Sequence, residues 1–187
     1  MNNKSITKKR SGKMGGFLLS GILLTLMMAS CSQPPAENTL NEAYKDAFYI
    51  GAALNYPQIM GRDTASLKVL KKHFNSITAE NVMKWGRIHP ERGEFQFGPA
   101  DKFIALGEEN QMKIIGHTLV WHSQTPDWVY QDHAGDTVSK DTLLQRIRKH
   151  IKTVAGRYQG KVDGWDVVNE AVLDNGDLRQ SFWLKII

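Results

Sequence analysis

Short apolar runs and segments of helical periodicity alternate four times along this chain, and that alternation restricts its possible folds more than any other feature. FYIGAAL at 48–54 has the continuous apolar character of a buried strand. RDTASLKVLKKHF follows, with Asp63 or Thr64 placed to cap a helix and Leu67, Leu70 and Phe74 at helical spacing. A short strand is expected within 74–78, then a helix over GPADKFIALGEEN with Pro99 near its first turn. MKIIGHTLVW at 112–121 gives a third strand, and Ser139 caps a long helix with Leu143, Leu144, Ile147, Ile151 and Val154 on one face. The fourth strand is expected over 161–169. Strands that alternate with crossover helices in this way are parallel.

Two α/β architectures accommodate that order, an open doubly wound sheet and part of a (β/α)8 barrel. The open sheet would usually carry a glycine-rich phosphate turn after its first strand. GAALNYPQIMG has too few glycines at the wrong spacing for one. In a barrel, polar residues at the C-terminal ends of the strands build the site. Here strand two runs into TAENVMKW, strand three into GHTLVWHSQTPDW, and strand four into Asn169 and Glu170. Three polar clusters in those positions favour the barrel.

The clusters combine amides, imidazoles, a lysine, a carboxylate and tryptophan. Such groups bind many hydroxyls at once, while the indole offers a flat apolar face to a sugar ring. There is no Gly-x-Ser-x-Gly elbow and no His-Glu-x-x-His metal motif, and His117 and His122 are not at ordinary metal-ligand spacing. No cofactor or metal is expected. Taken singly, these residues have bland readings: a solvated loop for Glu80 and Asn81, a helix-start cap with an exposed acid for Asn169 and Glu170. His117, His122, His133 and His150 would be core histidines, and Trp85, Trp128 and Trp165 packing residues.

In order, ITAENVMKW, HPERGEFQFGPAD, GHTLVWHSQTPDW and WDVVNEA resemble the endo-β-1,4-xylanases of glycoside hydrolase family 10, from about residue 47 to the last. The resemblance implies a (β/α)8 TIM barrel, of which this chain holds the first four βα units, and hydrolysis of internal xylosidic bonds of xylan with retention. It implies that Glu170 is the acid/base and that Asn169 holds the 2-hydroxyl of the sugar at the cleavage point. His117 and Lys84 would bind that same sugar, and Glu80 and Asn81 the next one towards the non-reducing end. Trp121 and Gln124 would line the cleft floor. A general acid needs a raised pKa, which burial against Trp121 and a nearby anionic carboxylate could supply. Asp166 is expected to face away from Glu170.

Retaining chemistry places a nucleophilic carboxylate ~5–5.5 Å from the acid. In the family it ends the seventh strand, and this chain is expected to reach only the fourth. After Glu170 the acidic residues are Asp174 and Asp177, neither in a nucleophile-like motif. A typical barrel needs ~250 residues. The chain is therefore expected to be an incomplete record of a longer xylanase, or an early-terminated product. Two other readings stand beside the enzyme: an inactive xylan-binding lipoprotein that keeps the sugar-binding residues, and a homodimer of half-barrels.

The first thirty residues have a different composition. Lys4, Lys8, Lys9, Arg10 and Lys13 precede GGFLLSGILLTLMMAS, which carries no charge. That is a secretory signal pattern. Cys31, the only cysteine, follows Ala29 and Ser30 and resembles a bacterial lipobox, with Met28 where leucine is usual. The expected organisation is a lipoprotein signal over 1–30, a tether over 31–40 that includes SQPPAENT, and the half-barrel over 41–187. Export follows, with a lipid anchor at Cys31, or ordinary secretion as the alternative. The formal charge of +5 equals the five basic groups of residues 1–30, so the remainder is neutral. A neutral domain gives no electrostatic case for nucleic acid. The expected partners are xylan or xylo-oligosaccharide and, through the anchor, a membrane.

Overall fold

The computed structural model describes residues 38–187. The signal, Cys31 and most of the tether lie outside the described residues. In chain order the elements are α1 (Leu40–Ala43), β1 (Gly51–Leu54), α2 (Tyr56–Ile59), α3 (Thr64–His73), β2 (Ser76–Ala79) and α4 (Trp85–Ile88). They continue with α5 (Gly98–Glu109), β3 (Lys113–Trp121), a 3-10 turn (Asp127–Val129), α6 (Lys140–Arg157), β4 (Gly164–Asn169) and α7 (Phe182–Ile186). The strands form one sheet in the order β1-β2-β3-β4, and each neighbouring pair is parallel. This is the sequential parallel order from which a (β/α)8 barrel is built.

Each major helix begins where local chemistry can satisfy its free N–H groups. Asp63 accepts from the Ser66 amide to start α3, and Ser139 accepts from the Thr142 amide to start α6. Pro99 occupies the first turn of α5. Asn55 and Gln58 form a reciprocal capping box around α2, a short helix that the apolar pattern did not announce. The strands begin later than their apolar runs. Phe48 stacks on Tyr44 before the sheet starts, and pairing begins only at Gly51. Lys161 to Asp163 are spent on a turn, in which Asp163 bonds the Ile114 amide and pairs with Lys113.

The core lies between the sheet and α3, α5 and α6. Ile77, Phe103, Ile104, Ile114, Leu143 and Val154 are almost wholly enclosed. Close approach at Gly116 sets the spacing of the last two strands: a Cβ there would stand 2.4 Å from the Trp165 ring. Only glycine fits. The β3–β4 register then shifts between His117 and Val120. That irregularity lies immediately before the polar ends of both strands.

Candidate active site

At the end of β2 the chain turns through Glu80 and Asn81 to Lys84. The Asn81 carbonyl oxygen accepts from the Lys84 ammonium at 3.2 Å and from the Gln124 amide at 3.1 Å. Its own amide donates to Glu80 at 3.1 Å. Lys84 is 8% exposed, and its Nζ lies 4.4 Å from the centre of the Trp121 ring. Burial lowers its pKa, opposed by the charges of Glu80 and Glu170. Gln124 adopts a left-handed backbone at φ 49°, and its carbonyl accepts the Gly86 amide at 2.8 Å. That bond fastens the loop after β3 to the start of α4.

Trp121 ends β3 and sits in register with Asn169 of β4. Its carbonyl accepts from Thr125 and from the Trp183 indole, at 2.7 and 2.9 Å, which fixes the residue from two sides. Its own indole N–H donates to Oε2 of Glu170 at 3.0 Å. Glu170 stands one residue past the strand with φ 53°, a conformation uncommon for a residue with a side chain. Such strain concentrates at functional sites. The Arg179 Nε holds the Glu170 carbonyl at 2.8 Å, while the Arg179 Nη2 and the His122 Nε2 approach the carboxylate at 3.9 and 3.8 Å. The last two are charge contacts rather than hydrogen bonds.

His117 lies in the middle of β3, in register with Asp166 of β4, and its Nδ1 lies 2.8 Å from Oδ2 of Asp166. Asp166 therefore does not turn away from the site as expected. It is paired in register with His117, and residues directly opposite on neighbouring strands share a face. The carboxylate orients the imidazole. Glu80, Asn81, Lys84 and Gln124 thus form one bonded group, Trp121 and Glu170 a second, and His117 and Asp166 a third. Lys84 over the Trp121 ring links the first two. Asn169 pairs in register with Trp121 and directly precedes Glu170.

Sequence reasoning did not single out His122, Arg179 or Trp183 for this site. His122, adjacent to Trp121, was weighed only as a metal ligand or a core histidine. Arg179 and Trp183 return from a turn after Glu170, in which Val172 bridges to Leu178, and no local pattern marks them. An apolar hollow of about 350 Å³ lies between β4, α6 and α7 with Glu170 and Trp121 at its rim. Its walls are Ile147, Ile151, Val167 and Leu184, so it is a packing gap beside the site. Among the described residues no cluster of three or more His, Cys, Asp or Glu side chains is arranged for a metal ion.

A carboxyl group held by an indole at the end of a parallel strand, beside bonded amide, ammonium and imidazole groups, offers many donors and acceptors to a hydroxyl-rich molecule, at the strand ends where barrel sites form. The comparisons agree. The profile of glycosyl hydrolase family 10 matches residues 39–187, and the chain belongs to that family. It is 51% identical over 150 residues to a β-1,4-xylanase of Dictyoglomus thermophilum, covering 79% of this chain and 40% of that protein. It is 41% identical over 175 residues to endo-1,4-β-xylanase A of Xylanibacter ruminicola, covering 94% of this chain and 46% of the relative. The chain thus spans less than half the length of these relatives. Among solved structures, a family 10 endoxylanase from a sugarcane soil metagenome superposes with a TM-score of 0.75 at 43% identity. That superposition covers 79% of this chain and 43% of the other. A mutant protein in complex with xylotriose superposes with a TM-score of 0.74 at 43% identity, over 80% and 45% of the two chains.

Proposed function

We propose that this chain carries the acid/base half of an exported endo-β-1,4-xylanase. The observation that supports this reading best is the Trp121 indole N–H directed at Glu170, whose backbone is held left-handed beside Arg179. In this role Glu170 gives its proton to the leaving glycosidic oxygen as a carboxylate nucleophile bonds the anomeric carbon. It then takes a proton from the water that releases the sugar. Asn169 holds the 2-hydroxyl. Lys84 and His117, oriented by Asn81 and Asp166, bind the sugar at the cleavage point. Glu80 and Asn81 bind the next sugar, and Trp121 and Gln124 line the floor. Residues 1–30 direct export and Cys31 carries the lipid anchor.

One observation favours a second reading, a xylan-binding lipoprotein without hydrolytic activity. The groups suited to sugar hydroxyls, Glu80, Asn81, Lys84 and Gln124, are already joined into one bonded group that needs no second carboxylate to form. Incubating the native protein, isolated from its source, with xylohexaose, while following both binding and new reducing ends, separates the two readings. Hydrolysis abolished by Glu170→Gln, with a much smaller loss on aryl xylosides with activated leaving groups, supports the enzyme. Equal loss on both substrates would sink the acid role. Binding without hydrolysis supports the second reading, and absence of binding overturns both. For the anchor, mass spectrometry of the native protein should find a diacylglyceryl group on Cys31, and Cys31→Ala should release the protein from membranes.

A further inference from the structure

A groove of about 250 Å³ runs between the turn holding His89 and Gly93 and the exposed side of α6, apart from the cleft just described. Arg92, Arg146 and Lys149 surround it, together with His89, Trp128 and Gln145. The Arg92 and Arg146 guanidiniums both donate to the carbonyl of Gln131, at 3.2 and 2.9 Å. Arg146 also donates to the carbonyls of Trp128 and Val129. Carbonyl oxygens satisfy N–H groups without neutralising the charge, which the Trp128 ring, 5.9 Å from the Arg146 guanidinium, and Asp132 offset only in part.

Among the described residues none of the three cations forms an ion pair. The acid that acts on Arg146 is Asp132, whose Oδ1 is occupied by the amides of Ala134 and Asp136. Arg146 is therefore half-buried with a second guanidinium beside it, and burial and Arg92 both disfavour its charge. An anion would relieve that repulsion. His89 adds an independent sign. It is 2% exposed, its Nε2 accepts the Gly93 amide, and its Nδ1 has no partner. With Nε2 accepting, Nδ1 of the neutral ring is an unused donor.

The indole of Trp128 is fixed by its N–H on the Pro90 carbonyl and lies partly exposed along the groove. Cations without a carboxylate, an amide side chain and an aromatic face make a combination that a bare inorganic anion does not use. The geometry points to this groove as a binding site for a carboxylate-bearing sugar, a uronic acid, either free or as a substituent of a polysaccharide. Arg92 and Lys149 take the carboxylate, Gln145 the hydroxyls, and Trp128 the apolar face of the ring. The inference does not depend on hydrolysis at Glu170.

Calorimetric titration of the whole chain at low ionic strength tests it, with methyl glucuronide, methyl glucoside and inorganic phosphate as probes. The glucuronide is expected to bind about tenfold or more tighter than the glucoside, as befits a charge-assisted contact. Arg92→Gln and Lys149→Glu alter exposed side chains and spare Arg146, which ties three carbonyls. Each should weaken glucuronide binding while circular dichroism stays unchanged. A xylo-oligosaccharide bearing glucuronate that binds more tightly than the same oligosaccharide without it, an advantage lost in Arg92→Gln, identifies the polysaccharide substituent as the source. Equal affinity identifies the free sugar, and both results support the site. Phosphate binding as tight as glucuronide, glucoside binding equal to it, or binding untouched by either substitution overturns the inference.

Discussion

His150 is enclosed on α6 with its ring 3.7 Å from the ring of Trp85, and neither of its nitrogens has a partner. Burial, and secondarily His89, pushes its pKa down from 6.5 to about 3. His89 is pushed down to about 4 by burial and then by Lys149. The unfolded chain therefore binds more protons than the folded one below pH 6.5. Stability is complete above that value and falls as the pH drops towards the folded-state values. Each group contributes a slope of up to about 1.4 kcal/mol per pH unit in its window. His150→Phe keeps a flat ring against Trp85 and removes one proton site. Thermal melts between pH 7 and 4 should show a shallower loss for the variant than for the wild type. At this scale the sequence marked His150 as a core histidine with its nitrogens bonded; it is in the core, but neither nitrogen has a partner. Asp166 was misplaced because its direction is set by its register opposite His117, which the sequence of one strand does not contain. The partners of Glu170 from the Arg179 turn depend on how the chain returns, which periodicity does not encode.

The secondary-structure elements were easier to anticipate than their ends. Amphipathic spacing and caps identified α3, α5 and α6, because capping is local chemistry between residues three apart. Ser139→Ala removes the oxygen that accepts the Thr142 amide and should cost about 1 kcal/mol, measured by urea unfolding. The starts of β1 and β4 were set too early, at 48 and 161, because apolar character was taken for strand pairing. Phe48 finds its contact in Tyr44, and Val162 donates to Tyr158 at the end of α6. Gly116 in β3 gives the corresponding test of packing between strands. Gly116→Ala puts a methyl group into the Trp165 ring and should cost on the order of 1–3 kcal/mol. A wild-type denaturation midpoint in that variant would show that Trp165 can move freely.

For the molecule as described, β1 and β4 are both edges of the sheet. Beside β4, Val167, Val168, Val172 and Leu178 are all more than half exposed. A parallel edge with apolar side chains on its flank is a template for pairing with another chain. The 187-residue chain on its own should therefore self-associate with rising concentration and bind a hydrophobic dye. Val167→Thr with Val168→Lys should reduce both effects, as sedimentation velocity would record. The alternation of strands and helices made the barrel order legible from sequence. The side chains that would cover β4 are set by distant contacts that a local pattern cannot contain.

Gly86 carries a different kind of consequence. A Cβ at that position would stand 2.8 Å from the carbonyl oxygen of Gln124, which Gly86 itself bonds. Every missense change in a glycine codon adds a Cβ. Codon 86 therefore has no conservative neighbours: each heritable replacement presses on the loop that presents Gln124 to Asn81. Natural variation and random libraries should be depleted there, whatever the replacement.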